Sequence, residues 1–170
     1  QHGGVTVAVS IDNPAEALLS TDVNTSGSGS INLAITNGST SATFYVQGVG
    51  ETTASLTITA SQVLFGSATA PLDVVPATLQ IRNLVAANNT LGNDDPFVVR
   101  SGYIHSNGSS FRYAPISAAA GPLTATLTSD DIAVGELVTT TTTAATATVQ
   151  IAVNGIDSPS NVASGGVALR

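Results

Sequence analysis

The clearest local pattern in the sequence is an alternation of apolar and other residues on either side of the dipeptide Asn37-Gly38. Apolar side chains occupy every second position from Ile31 to Ile35 before the dipeptide and from Ala42 to Val46 after it. Successive side chains of a β-strand point to opposite faces, so each run predicts a strand with one buried and one solvated face. Asn and Gly tolerate a positive φ, which allows the chain to reverse between the two runs. The sequence therefore predicts a β-hairpin over Ser30–Gln47.

The same period of two recurs through the first 75 residues and predicts about six strands, a spacing that is typical of β-sandwiches. Proline cannot donate a hydrogen bond to a neighbouring strand, so Pro71 is expected either in an edge strand or at a bulge. Turn-forming Asn, Pro, Gly and Ser residues separate the runs. The strands predicted outside the hairpin are Val5–Ser10, Ala17–Ser20, Ser55–Ala60 and Ala68–Val75.

A second copy of this pattern begins at Leu123 and indicates an internal repeat. The intervening residues 86–121 are less regular, with short strands predicted at Phe97–Gly102 and Phe111–Ala114. We therefore predict an all-β chain of two tandem sandwiches, residues 1–76 and 77–170, with the boundary at Pro76. The matching segments are Val5–Ser10 with Leu123–Thr128, Leu18–Thr21 with Leu137–Thr140, Ser30–Thr36 with Thr146–Val153, Asn37-Gly38 with Asn154-Gly155, and Ser41–Gln47 with Asn161–Leu169.

These segments resemble the bacterial immunoglobulin-like repeat domains of secreted and surface proteins. The resemblance is carried by the alternating Val/Thr strands, the Ser/Thr/Gly loops, the run Gly-Ser-Thr-Ser-Ala-Thr-Phe-Tyr-Val at Gly38–Val46 and the strand Thr57–Ala60. It covers most of the chain, and Asp94–Leu169 resembles a divergent copy. The resemblance implies immunoglobulin-like sandwiches, an extracellular or cell-surface location, and a structural or adhesive role. It specifies the fold better than the function, because one such fold serves many roles.

Compared with the seven strands of an immunoglobulin sandwich, A to G, each copy is short of strands. Nothing precedes Val5 to serve as strand A of the first copy. In the second copy, strands A to E are assigned, with a long insertion between A and B, and strands F and G are lacking before Arg170. A sandwich without these strands would expose apolar faces and unpaired edges. Two explanations follow: the chain is a fragment, or strands from neighbouring subunits complete the sandwich in a homo-oligomer or filament, which is the assembly that we predict.

The charge of the chain excludes two kinds of partner. The net charge is −7, lysine is absent, and the basic residues are Arg82, Arg100, Arg112 and Arg170. Nucleic acids and anionic membrane surfaces are both recognised through basic side chains, so neither is expected as a partner. No apolar run approaches the ~20 residues of a membrane span, so we do not expect membrane insertion. Because the first residue is Gln1 rather than Met, we expect a processed chain or a segment of a longer protein.

No combination of residues indicates catalysis, and we expect a protein that is not an enzyme. Cysteine is absent, which excludes thiol chemistry and disulfides, and the only histidines are His2 and His105. A hydrolytic triad needs a nucleophile, a histidine and a carboxylate that converge, and no nucleophile-elbow sequence is present. Gly48 and Gly50 lack the third glycine of a phosphate-binding loop. We therefore expect no organic cofactor.

Oxygen-rich loops are the candidate ion sites. Asp94-Asp95 and Asp130-Asp131 lie in predicted loops, and carboxylates are preferred ligands of calcium. Their spacing does not match the regular calcium-binding loop, and Asx turns are the alternative interpretation. Four Asn-x-Ser/Thr sequons in predicted loops are candidate glycosylation sites, namely Asn24, Asn37, Asn88 and Asn107.

Carbohydrate binding is the alternative function. The chain would then be an accessory domain of a secreted hydrolase, with a glycan stacked on exposed aromatic side chains. Aromatic residues make up only 4% of the sequence, so the candidates for this role are few, namely Tyr45, Tyr103 and Tyr113. Such a site requires these rings to be coplanar on one surface.

Overall fold

The computed structural model describes residues 3–89, 91–105 and 108–170, and the regular secondary structure of this part of the chain is β-strand apart from one short 3₁₀ helix. The all-β fold class predicted from the alternation of apolar residues is thereby confirmed. The chain divides into two compact units. Unit 1 comprises the residues up to Pro76 together with Ser117–Ala120, and unit 2 comprises Ala77–Ile116 and Gly121–Arg170.

Unit 1 is built from two antiparallel sheets. The larger sheet has the strand order β3-β1-β5-β6, and in the smaller sheet β2 pairs with β4. Pro71 lies in β6, an edge strand, as its missing backbone donor predicts. The strands are β1 (Val5–Ile11), β2 (Ala17–Ser20), β3 (Ser30–Ile35), β4 (Tyr45–Gly48), β5 (Ala54–Gln62) and β6 (Gly66–Val74).

The strands on either side of Asn37-Gly38 do not pair with each other, so the predicted hairpin over Ser30–Gln47 is wrong. β3 pairs with β1 and β4 pairs with β2, so the chain passes from one sheet to the other after the turn. The Ser39 N–H donates to the Thr36 carbonyl at 3.0 Å, and of the two central residues only Gly38, the second, has a positive φ. Two-residue hairpin turns need a positive φ at the first central residue or at both, because only then does the turn match the twist of paired strands.

The core of unit 1 consists of aliphatic side chains from the inner faces of both sheets. The alternation determines which side chains face the core, because each contributing strand turns every second side chain inward. Further half-buried side chains, including Phe44 and Ile58, pack against this cluster. The buried members are Val9, Ile11, Ala17, Leu19, Leu33 and Leu56.

Unit 2 also has two sheets. β10 pairs with β13, and the other sheet has the order β12-β11-β14-β8-β7, with β9 joined to β8 as well. The strands are β7 (Thr78–Arg82), β8 (Asp95–Ile104), β9 (Phe111–Tyr113), β10 (Leu123–Thr128), β11 (Leu137–Val138), β12 (Thr143–Ala144), β13 (Thr146–Ile151) and β14 (Val167–Leu169), with a 3₁₀ helix at Val162–Ser164. The buried core is formed by Phe97, Val99, Ala125, Leu137, Ala147, Val149, Ile151 and Val167.

β8 is the central strand of unit 2 and is hydrogen-bonded along both edges. One edge pairs with β7. The other edge meets β14 first, then the segment 156–158, and then β9. In the middle segment the Ser101 N–H donates to the Ile156 carbonyl at 2.8 Å, and the Ser158 N–H donates to the Val99 carbonyl at 2.9 Å. The chain therefore covers both edges of β8 with its own residues.

This arrangement corrects the expectation that the second sandwich lacks strands F and G. β11 pairs with β14 as strand C pairs with strand F in an immunoglobulin sheet, and β8 lies along the other edge of β14, where strand G would lie. β8 precedes β10 in the sequence, so the G position is filled out of chain order. Assigning strands in sequence order could not reveal this arrangement, because the position of a strand in a sheet is set by packing.

The same pairing scheme occurs in both units. β1 pairs with β3 and β10 pairs with β13, as strands B and E do, while β2–β4 and β11–β14 correspond to the C–F pair. In unit 1, β5 runs along the free side of β1, which is the position of strand A in the order A-B-E-D. The strand A expected to be lacking before Val5 therefore has a substitute from later in the chain.

Candidate functional site

The first predicted acidic pair is bonded within the protein itself. The Asp94 carboxylate accepts hydrogen bonds from two guanidinium nitrogens of Arg170, at 2.9 and 3.0 Å. This contact lowers the pKa of Asp94 and raises the pKa of Arg170, because the hydrogen bonds and the opposite charge favour both ionised forms. Asp95 accepts a hydrogen bond from the Val85 N–H at 2.8 Å. A cation at this pair would compete with an arginine already in place.

The second acidic pair lies in the loop between β10 and β11. Asp131 Oδ1 accepts a hydrogen bond from the Ala133 N–H at 2.9 Å, which is the geometry of an Asx turn. Asp130 is exposed. No group of three or more His, Asp or Glu side chains is arranged to hold a metal ion in the described ranges. Calcium binding at Asp94, Asp95, Asp130 and Asp131 stays a prediction.

A second ion pair fixes the middle of β8. Arg100 donates to both carboxylate oxygens of Asp157 at 2.7 Å, and its guanidinium carbon lies 5.9 Å from the centre of the Tyr113 ring. The hydrogen bonds from Arg100 lower the pKa of Asp157, and those to Asp157 raise the pKa of Arg100. The pair joins β8 to the segment 156–158 that runs along its edge, so its role is structural.

His105 takes part in a turn. It is exposed, its N–H donates to the Ser110 carbonyl, and its own carbonyl accepts from the Gly108 N–H, both at 2.8 Å. The residue thereby closes the connection between β8 and β9. His2 lies outside the described residues.

Three of the four sequon asparagines, Asn24, Asn37 and Asn88, are exposed. The Asn24 side-chain nitrogen donates to Asp22 Oδ1 at 3.3 Å, and Asn37 is the first central residue of the turn that ends at Ser39. The fourth asparagine, Asn107, lies outside the part of the chain that the structure describes. Glycosylation at these positions stays a prediction.

The tyrosines of unit 2 do not form a common platform. Tyr113 lies opposite Gly102 and Tyr103 lies opposite Arg112 in the β8–β9 register. Residues directly opposite each other share a face, and adjacent residues on a strand point to opposite faces, so the two rings lie on different sides of the sheet. Tyr45 is exposed on β4 of unit 1. This geometry does not favour a tyrosine strip for carbohydrate binding in unit 2.

The most exposed apolar feature was missed by the sequence analysis. The connection between β5 and β6 carries Val63, Leu64 and Phe65, whose side chains are 97%, 83% and 68% exposed. The only signal in the sequence was an uninterrupted apolar run between Gln62 and Gly66, at a place where turn residues are expected. We call Val63–Phe65 the hairpin tip.

The backbone of the hairpin tip is fixed by its neighbours. The Phe65 N–H donates to the Gln62 carbonyl at 3.0 Å, and Gly66 follows with a φ of 78°, which together form a three-residue hairpin loop closed by a left-handed glycine. The side-chain oxygen of Gln62 accepts from the N–H groups of Leu64 and Phe65, at 2.6 and 3.2 Å. The turn therefore presents three apolar side chains to solvent from an ordered backbone.

An apolar groove with a volume of about 440 Å³ lies beside the hairpin tip in unit 1. Its walls include inward-facing side chains from one end of the larger sheet, and none of its lining residues is ionisable. Phe65 of the hairpin tip also lines it. The other apolar lining residues are Val5, Val7, Ile35, Ala60 and Ala68.

No helix among the described residues is both long and apolar enough to cross a bilayer. No protein-family model, curated protein or solved structure gives a significant match to the chain. The candidate site, which is the hairpin tip with its groove, is therefore identified by its geometry and chemistry alone.

Proposed function

We propose that the chain is a non-enzymatic structural and adhesive module of an extracellular or cell-surface protein. It consists of two tandem immunoglobulin-like sandwiches, and copies of it associate into a homo-oligomer or filament, with strand addition between subunits as one mode of contact. The observation that carries the proposal is the hairpin tip, whose three apolar side chains are solvent-exposed on a fixed turn.

The free energy of apolar burial favours the packing of another protein surface against the hairpin tip. Burying one side chain of this size contributes about 1.5–3 kcal/mol relative to leaving it in water. An ordered turn loses little conformational entropy on binding, which leaves more of that free energy for association. The adjacent groove carries no ionisable group, so two chains of net charge −7 can approach there without direct like-charge repulsion.

Sedimentation of the purified chain over a range of concentrations, up to about 100 μM, tests the proposal. We expect reversible self-association that weakens by at least about tenfold in the double variant Leu64→Ser/Phe65→Ser, because two apolar anchors are lost. The matched control is Leu91→Ser in unit 2, where the replaced side chain is 94% exposed but lies outside the hairpin tip. A chain that stays monomeric throughout, or equal weakening by both changes, would contradict the proposal.

A further inference from the structure

We propose that the free edge of β4 in unit 1 accepts an extended strand from a separate polypeptide chain, and that this strand carries apolar residues at alternate positions. The inference rests on the proposed structural and adhesive function, and it names the edge at which strand addition takes place. The unpaired sheet edge therefore lies in unit 1, whereas the sequence pattern predicted it in the second sandwich.

One edge of β4 is unoccupied over most of its length. Within the described residues, β2 is the only strand that pairs with β4. At the far end of the free edge, the Ser117 hydroxyl donates to the Gly48 carbonyl at 3.3 Å. Val46 lies opposite Leu19 in the register, so both side chains are on the face of the smaller sheet that is turned toward the core. Leu19 is fully buried, whereas Val46 is 40% exposed.

Further inward-facing side chains of unit 1 are also uncovered. Ala68 and Ala70 lie opposite Ala60 and Ile58 in the β5–β6 register, and the latter two pack against the core. Residues opposite each other share a face, so Ala68 and Ala70 point to the inner side of the sheet, yet both are exposed. The two-stranded sheet is therefore too narrow to cover the inner face of the four-stranded one.

The corresponding strand of unit 2 has the neighbour that β4 lacks. β14 pairs with β11 as β4 pairs with β2, and β8 runs antiparallel along the other edge of β14. Phe97 of β8 lies opposite Val167, and Val167 is completely buried. The two units thus share a pairing scheme, but the edge that β8 covers on β14 in unit 2 is open on β4 in unit 1.

β8 also indicates the chemistry of the incoming strand. Phe97 and Val99 are two residues apart, so they share a face, and both lie in the core of unit 2. A strand beside β4 needs the same pair of large apolar side chains to cover Val46 and its neighbours. Strand addition takes most of its affinity from main-chain hydrogen bonds and its selectivity from such alternate side chains.

A peptide with the sequence of Asp95–Ile104 is the probe, titrated into the isotope-labelled full chain and followed by amide chemical shifts and hydrogen exchange. We expect saturable binding at or below about 1 mM, with shifts across Tyr45–Gly48 and slowed exchange at the amides of Val46 and Gly48, which point away from β2 toward the free edge. A second peptide with serine in place of Phe97 and Val99 is expected not to bind. The change Val46→Asp is expected to weaken binding by about tenfold or more, because it places a charge under the incoming apolar residues.

The control for that change is Val134→Asp, where the replaced side chain is 83% exposed in unit 2. Should Val46→Asp unfold the protein, Val46→Ser replaces it, with a smaller expected loss of affinity. Absence of peptide binding at about 1 mM, equal binding by the Val46 and Val134 variants, or shifts confined to Val167–Leu169 would each overturn the inference. These outcomes leave the tip-dependent self-association untouched, so the two proposals fail separately.

Discussion

The side-chain oxygen of Gln47 accepts a hydrogen bond from the backbone N–H of Gly27 at 2.8 Å, across twenty residues of sequence. The Gln47 amide nitrogen donates to the Thr25 carbonyl at 2.9 Å. A buried glutamine on β4 thus satisfies two backbone groups of the loop between β2 and β3. Gly27 has no room for a side chain there, because a Cβ would collide with the Leu19 carbonyl.

Replacing Gln47 by alanine is expected to destabilise unit 1 by about 1–3 kcal/mol, because it removes two hydrogen bonds to backbone groups of a partly buried loop. Urea denaturation at pH 7, followed by circular dichroism, measures the change. Gln150→Ala is the control, since Gln150 is exposed on β13. Equal midpoints for the two variants would show that the loop does not depend on Gln47.

The hairpin tip depends on the left-handed conformation of Gly66. A side chain at this φ is expected to cost about 1–2 kcal/mol, so Gly66→Ala should lower the denaturation midpoint. No atom lies within 4 Å of a Cβ built at Gly66, which leaves backbone strain as the only cause. Gly66→Asn should be milder, because asparagine tolerates this region. Gly3→Ala is the control, because its site is open and its backbone is unstrained. Equal stability of the Gly66→Ala and Gly3→Ala variants would refute this account.

The Arg100–Asp157 pair predicts a pH dependence of stability. The pKa of Asp157 is lower in the folded chain than its value of about 3.9 in an unfolded chain. The pair therefore stabilises the fold above that value, and the stabilisation disappears as the pH falls through the lower, folded pKa. We expect Asp157→Asn to reduce stability at pH 7 and to have no effect in strong acid.

A double-mutant cycle isolates this interaction. In an Arg100→Gln background, Asp157→Asn should have a smaller effect at pH 7, because the partner charge is already absent. Urea titrations at pH 7 and at about pH 2 give the four free energies at each pH. If Asp157→Asn lowers the free energy of unfolding at pH 7 equally with and without Arg100, the stabilisation does not come from this pair.

The calcium prediction has a direct test. If Asp94, Asp95, Asp130 or Asp131 bind calcium, the melting temperature should rise with millimolar calcium and fall again with EDTA, because a ligand of the folded state stabilises it by mass action. If calcium occupies the loop of Asp130 and Asp131, Asp131→Asn should reduce this shift in melting temperature. If calcium binds at Asp94 and Asp95, Asp94→Asn should reduce it instead. An unchanged melting temperature in chelator eliminates the site.

The elements that could be predicted from sequence are those whose signal is local. Alternation located β1, β3 and β5 because the period of two is a property of the strand itself. The position of Pro71 at a sheet edge followed from its missing donor. The hairpin tip could not be predicted, because apolar residues at Val63–Phe65 are expected inside a protein and their exposure depends on everything packed around them.

The sequence by itself determined most of the strands and their apolar faces, since these depend on neighbouring residues and on backbone sterics. Only the tertiary structure decided which strand lies beside which. It placed β5 next to β1 and β8 next to β14, both out of chain order, and among the residues it describes it left one edge of β4 without a strand. Any alternating strand can pair with any other, so the choice between partners is made by the packing of the whole unit, which no local pattern encodes.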